Sequence, residues 1–510
     1  MHKTIASQLQ EALPTMKLLD TFVLAEDARG GIWSELLDAL SAVPRPFKLV
    51  LDCYWDPDDD QDPLVLAPRT CELNLTGFTF PFPIVFDESG RNVSRRPPDA
   101  WDSEVKNVRS IFAASSSTLS SVYLPGELFH AMQGLIWDAL TDLCLEGLWP
   151  IFDKPSSPAQ LADNKPITSS TESSESVSAP APPISKADEE STAPSNPSTS
   201  ATSTSESESP LTTGPVGGAA TSNETAIAAV ESLPPPHCSP ILSVLEAMPN
   251  LRFLDLRMVH HGDDPQPVGA LICSADGSST PAAPDTFLRH VKRFQATSLS
   301  MDDRIVDFLP PTLEVLSLPM FPYMLQGNTL RAVQSPSGLL AQLKKSSFPE
   351  LISLTLWYSI ASLEDLEDEE PLLDFLSTAF PSVEILELSR RWEARVPALQ
   401  GRWDALPVAK KLASNFKCLK SLMFDLDLPE RYGRPPVILA NREFREMVVR
   451  LHSMAEEIAN VAPWLQRIGL YREFGHDPHL FWETWNVVPA ADGKVGLDRP
   501  PPPVNDSVFY

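Results

Sequence analysis

Long apolar runs are missing from this 510-residue chain. Nowhere do about 18 consecutive apolar residues occur, which excludes a membrane-spanning helix. Positive charge is scarce too: 40 Lys and Arg stand against 68 Asp and Glu, a formal net charge of -28, with no basic cluster. That balance argues against nucleic acid or an anionic membrane surface as a partner. Cysteine is confined to positions 53, 71, 144, 238, 273 and 418, without paired metal spacing or the density of a disulfide scaffold. Such usage reads as a reducing compartment, cytosol or nucleus. Cys144 and Cys418 are expected as buried structural thiols. Met1 to Leu19 offers no clean apolar run ahead of a small-residue cleavage site.

Familiar catalytic motifs are absent as well. There is no G-x-S-x-G, P-loop, G-x-G-x-x-G or H-E-x-x-H. The acidic stretch from Asp56 to Asp62 lacks the central glycine and terminal glutamate of a calcium loop. His260-His261 near Asp263 and Asp264, and His476 with His479, have no further ligands at an expected spacing and are expected in polar loops after strands. The expectation is a non-enzymatic chain with no catalytic, cofactor-binding or metal-binding residues.

What recurs is one short pattern. Phe380-Pro381-Ser382-Val383 leads to Leu386 and Leu388, and Met248-Pro249-Asn250-Leu251 leads to Leu254 and Leu256. Pro311-Thr312-Leu313 leads to Leu316 and Leu318, Phe348-Pro349-Glu350-Leu351 to Leu354 and Leu356, and Ala462-Pro463-Trp464-Leu465 to Ile468 and Leu470. Copies without the proline are Leu19, Phe22, Leu24; Leu119, Val122, Leu124; Leu140, Leu143, Leu145; and Leu419, Leu422, Phe424. The last two apolar residues of each triplet are two apart and share one face of a strand. The first fills the core across a bend, and proline stops the preceding helix. Each unit therefore reads helix, turn, short strand, and must bury its apolar face against its neighbours. Leu124 and Leu145 are 21 residues apart, inside the period of leucine-rich repeats. Later centres at Leu318, Leu356, Leu388, Phe424 and Leu470 are 38, 32, 36 and 46 residues apart, with room for a helix and a loop. The predicted fold is α/β, a curved leucine-rich-repeat solenoid with a parallel sheet on the concave side and helices outside.

Further elements follow from the same reading. Residues 5–13 are expected as helix, and Phe47–Leu51 and Leu73–Leu75 as strands. Asn441 is a good N-cap for a helix carrying Phe444, Val448, Leu451, Ala455 and Ile458 on one face. Pro371 suits the first position of a helix over 372–379, preceded by the acidic run Glu364–Glu370. Residues 153–236, rich in Ser, Thr, Pro, Ala and Glu, cannot bury enough apolar surface to offset ordering. The organisation is thus repeats over 1–152, a disordered insert over 153–236, repeats over 237–480, and a capping hairpin and tail over 481–510. Trp482, Trp485, Val487 and Val488 form the first strand of that hairpin, with an Asp-Gly turn before Val495.

Over residues 1–152 and 237–480 these repeats resemble the irregular fungal leucine-rich repeat proteins of the F-box type. The resemblance implies a protein-binding solenoid whose repeats select substrates for a cullin ubiquitin ligase, reached through the cullin-ligase adaptor. A free-standing scaffold is the alternative reading, and an enzyme of unrecognised type the third. Leu124-Pro125-Gly126-Glu127-Leu128 is similar to the opening of an F-box, but it follows one repeat strand and runs into the next. It is read as part of a repeat, so the F-box itself is not evident.

Strand positions between the apolar ones are expected to line a binding surface. Asp255, Arg257, Trp357, Glu387, Met423, Asp425, Arg467 and Tyr471 are the candidate partner-binding residues. Trp357 and Tyr471 are the expected anchors. Acids outnumber bases at these positions, so the expected partner is a protein with a basic or mixed surface, bound by a monomer.

Overall fold

The structure, a computed structural model, describes residues 2–25, 32–52, 66, 72–80, 98–149, 240–261, 272–274, 279–297, 299–300, 302–319, 329–330, 334–392, 404–425, 441–471, 482–489 and 495–499. All belong to the compact unit made of Met1–Phe152 and Pro235–Tyr510, and the second unit, Asp153–Pro234, lies outside them. The strands are β1 (Thr21–Leu24), β2 (Phe47–Leu51), β3 (Leu75–Thr79), β4 (Ser121–Pro125), β5 (Asp142–Leu148), β6 (Phe253–His261), β7 (Arg293–Ala296) and β8 (Val315–Leu318). They continue as β9 (Thr329–Leu330), β10 (Ser353–Ile360), β11 (Ile385–Trp392), β12 (Ser421–Asp425), β13 (Arg467–Tyr471), β14 (Trp482–Pro489) and β15 (Val495–Asp498). Apart from β9, which pairs with β6, they lie side by side in one sheet in chain order.

Pairing is parallel from β1 to β13, and the register aligns the triplets residue for residue. Leu318, Leu356, Leu388, Phe424 and Leu470 form one row across β8 to β13. Leu124, Leu145, Leu256 and Ala296 form the same row across β4 to β7. β5 and β6 pair from Asp142↔Phe253 to Leu148↔Val259, so both blocks of repeats share one sheet although Asp153–Pro234 lies between them in the chain.

The recurrent turn has a common hydrogen bond. The amides of Leu251, Leu351, Val383, Leu419 and Leu465 donate to the carbonyls of Met248, Phe348, Phe380, Phe416 and Ala462. Proline at the second position presets the backbone angle this turn needs. The residue opening the turn is buried, and Phe348 stacks on Phe380 with ring centroids 6.0 Å apart. Just after each turn, one carbonyl accepts two amides from the next repeat. Glu314 O takes Ile352 (2.8 Å) and Ser353 (3.1 Å), Ile352 O takes Glu384 and Ile385, and Glu384 O takes Lys420 and Ser421.

The strand rows are buried in a single cluster with residues of the helices. These are α1 (His2–Ala12), α2 (Ser34–Ser41), α3 (Pro98–Ala113), α4 (Pro240–Glu246), α5 (Pro336–Leu343), α6 (Leu363–Ala379), α7 (Ala405–Asn415) and α8 (Asn441–Val461). Leu36, Ile111, Leu245, Leu343, Leu376, Leu412 and Ile458 carry the helix side of that core.

Several expectations are corrected. The 372–379 helix is the second half of α6, which starts at Leu363 and holds Pro371 inside. Its N-cap is Ser362, whose hydroxyl accepts the Asp365 amide (3.0 Å), while the Asp365 carboxylate accepts the Ala361 amide (2.9 Å). The acidic run therefore builds the first turns, beside the positive end of the helix. β3 starts at Leu75 and runs to Thr79, with a register shift against Phe47/Lys48. β7 was not foreseen, because its triplet Val291, Phe294, Ala296 ends on a small residue and its turn has no proline; instead Leu288 takes a left-handed φ of 52°. His260 and His261 lie in β6, paired with Leu330 and Thr329, and not in a loop. Cys418 is exposed and Cys144 half-buried. The Asp56–Asp62 stretch, His476 and His479 lie outside the described residues.

Two predictions follow from the stacking. Phe380→Ala removes a ring wedged between turns and is expected to cost about 3–5 kcal/mol. Pro381→Ala should cost about 1 kcal/mol or less, since it acts through the unfolded chain; urea denaturation of both variants checks the contrast. Replacing residues 153–236 by about ten Gly/Ser residues is expected to leave the circular-dichroism spectrum of the repeats unchanged. The shorter crossover should stabilise by no more than about 2 kcal/mol, and loss of cooperative melting would contradict the shared sheet.

Candidate functional site

Alternation along the strands sends the triplet rows to the helices and the intervening residues to the opposite face. That face carries all eight positions expected from sequence: Asp255, Arg257, Trp357, Glu387, Met423, Asp425, Arg467 and Tyr471. They do not converge on one point. Asp255 and Arg257 belong to a cluster on β4 to β6, and the others lie on β10 to β13.

In the first cluster Arg257 is the hub. Its guanidinium pairs with Asp255 (3.1 Å) and Glu146 (3.2 Å), and donates to the Cys144 sulfur (3.3 Å). The Tyr123 hydroxyl donates to Glu146. Burial, and next the Glu146 charge, push the Tyr123 phenol up. Burial, and next the Asp255 charge, push the Cys144 thiol up. Burial also raises Asp255 against the pull of Arg257 and Arg293. Both Tyr123 and Cys144 thus stay protonated at neutral pH, and the thiol has no nucleophilic character there.

In the second group Arg391 bridges strands. It lies 3.4 Å from Asp425 and its guanidinium stands 5.1 Å above the Tyr471 ring. Tyr471 meets Trp482 of β14 edge-on, centroids 5.3 Å apart. Here the expectation of exposed anchors is corrected: Asp425 is 0% and Tyr471 7% exposed. β14 reverses direction and pairs along β13, so Trp482 lies beside Tyr471. Met423 is half-buried with its thioether over Gly469, where a Cβ would collide with it. Arg467 is exposed, and Trp357 is half-buried. Glu387 stands between Thr355 and Met423 in the register. It has no ion pair or hydrogen bond among the described residues, and burial alone raises its carboxyl.

The sequence reading missed Lys48, Arg293 and Arg391, which share this face. From β2 to β13, described Lys and Arg (Lys48, Arg257, Arg293, Arg391, Arg467) number five, as do Asp and Glu (Asp142, Glu146, Asp255, Glu387, Asp425). Acids therefore do not outnumber bases there. The signal for Arg391 was available, since strand alternation continues past the triplet in an eight-residue strand. Among the described residues no group of three or more His, Cys, Asp or Glu is arranged to hold a metal ion, and no helix is long and apolar enough to cross a membrane. The chain matches no protein-family model and no curated protein.

Glu127 lies just past β4, in the 3-10 segment Gly126–Met132. Gly126 packs on the Leu148 carbonyl and the Met258 sulfur, where any Cβ would clash. Both Glu127 carboxyl oxygens are buried and pair with no cation among the described residues. Burial pushes its pKa to about 7, partly offset by backbone hydrogen bonding at Glu127 and Leu148. A raised carboxyl stabilises the fold fully below its unfolded value, and that stability is lost as pH rises through the folded value. Between about pH 4 and pH 8 this site should lose about 3 kcal/mol. Glu127→Gln is expected to lack that loss, read as a smaller stability drop than wild type in urea titrations at the two pH values. Asp303, raised by burial to about 6, contributes equally to both proteins and cancels.

Proposed function

We propose that this chain is a leucine-rich-repeat solenoid that binds a protein partner along the strand face opposite its helices. One observation carries the reading: twelve strands in parallel register turn their non-core positions to one face, with charges of both signs and half-buried Trp357 among them. Ile385 and Phe253, 43% and 42% exposed, add apolar area to it. Mixed charge around aromatic and aliphatic side chains suits protein recognition. The partner it fits has a mixed-charge surface. The resemblance of the triplets to F-box-type repeat proteins supports a narrower role, substrate selection for a cullin ubiquitin ligase. Leu124–Leu128, the segment similar to an F-box opening, closes β4 and enters the 3-10 segment against Leu148 and Met258. A free-standing scaffold is therefore the second reading.

Affinity capture with the full chain tests both levels. Wild type is expected to retain a set of proteins that Trp357→Ala and Ile385→Asp lose by about tenfold or more, as hot-spot truncations do. An unchanged set would show that this face is not the binding surface. Recovery of the cullin adaptor supports the ligase role, and its consistent absence leaves the scaffold.

A further inference from the structure

Glu387 differs from the other described acids around it. Glu146 and Asp255 are held by Arg257, and Asp425 by Arg391. Glu387 has none of these, although burial raises its carboxyl and the neighbouring β10 and β12 positions, Thr355 and Met423, carry no charge. Met423 lies over Gly469, on the β13 side. On the β10 side the next residue along the same face is Trp357, whose register partner is Ser389. The Trp357 indole nitrogen has no hydrogen-bond partner among the described residues.

A partly desolvated carboxylate without a counter-ion is unfavourable, and a cation supplied by a partner relieves it. The kind of cation is constrained as well. Arginine binds a carboxylate through two parallel N–H donors, stacks on an indole, and sheds water more readily than lysine. We propose that Glu387 and Trp357 form the seat of one arginine side chain of a protein partner, its guanidinium paired with the carboxylate and lying against the indole. The proposal rests on the strand face being a protein-binding surface, and names the chemistry of its central contact. It also fits the charge balance of the face. Glu146, Asp255 and Asp425 each already face an arginine of the chain, whereas Glu387 faces none among the described residues.

The test uses the full chain and a fluorescein-labelled Gly-Arg-Gly-Arg-Gly peptide, with citrulline and lysine counterparts, read by fluorescence anisotropy. The arginine peptide is expected to bind, the citrulline peptide about tenfold or more weakly, and the lysine peptide between them. Glu387→Gln should weaken the arginine peptide by about tenfold and Trp357→Leu by about threefold. Glu364→Gln, on α6, should stay within about twofold, reporting the bulk field of an acidic chain. Absent binding to wild type, equal binding of the citrulline peptide, or equal losses in Glu387→Gln and Glu364→Gln would each overturn the proposal. The citrulline arm needs no protein variant, so it decides even if a substitution disturbs folding. In the capture experiment, partners lost in Ile385→Asp but kept in Glu387→Gln would overturn the arginine seat while sparing the binding face. Partners kept in both would remove the face itself.

Discussion

The structure depends on one repeated hydrogen-bond junction. A carbonyl at the mouth of each strand accepts two amides of the following repeat, from Thr141 through Arg252, Lys292, Glu314, Ile352, Glu384 and Lys420. Each junction starts the next strand at the same height, which is why the leucines align across repeats of unequal length. A slip of one residue would exchange the apolar and polar faces of a strand completely. Only the turn and the strand are held this tightly. The crossover behind them is free to vary, so it holds a long helix such as α8 in one place and a 3-10 segment such as Ile305–Phe308 in another. The same freedom lets Asp153–Pro234 interrupt the chain between β5 and β6 while their pairing keeps the common register.

A sheet built by such accretion has to stop somewhere. After β13 the chain reverses, and β14 and β15 pair antiparallel. Trp485 is buried at that end, 5.8 Å from the His452 ring of α8, and Val487, Val495 and Leu497 pack on the same core. Reversal changes what the last strand offers: Trp482 comes beside Tyr471 and the Arg391 guanidinium, so this end of the strand face is filled by the protein's own side chains. Among the described residues, the central strands, where Trp357 and Glu387 stand, have no such neighbour.

Much of this was legible in the sequence because the turn, the strand and the core position are local decisions. Phe380-Pro381 announces a turn by the chemistry of proline, and Val383, Leu386 and Leu388 announce a face by their spacing. β7 shows the limit, since Ala296 fills its row with a methyl group and Leu288 replaces the proline turn by an unusual backbone angle. α6 shows another. Pro371 suggests a helix start by preference, but the Ser362 cap and the packing of Leu372, Leu373 and Leu376 extend the helix through it. The strand face was readable in membership and not in exposure. Whether Tyr471 or Asp425 meets solvent depends on a reversed strand and on Arg391, both distant in sequence from the residues they cover.

On the helix side of the sheet a buried charged pair lies where β10 and β11 run on past their triplets. β10 and β11 run eight residues, so core-facing positions continue past the triplets to Tyr358 and Arg390. Both are buried, and α6 meets them with Glu369, which takes the Tyr358 hydroxyl at 2.7 Å and Arg390 at 2.8 Å. Burial, and next the Glu369 charge, push the Tyr358 phenol well up, so it remains a donor. A buried pair of this kind gives little net stability against an apolar trio, since both ions lose water. Its effect is on geometry. The proline inside α6 removes one backbone donor. Any rotation or shift of the helix along the sheet would leave Arg390 and Glu369 charged, buried and apart. Of the positions α6 could take along the sheet, the one that keeps Arg390 and Glu369 together avoids that penalty.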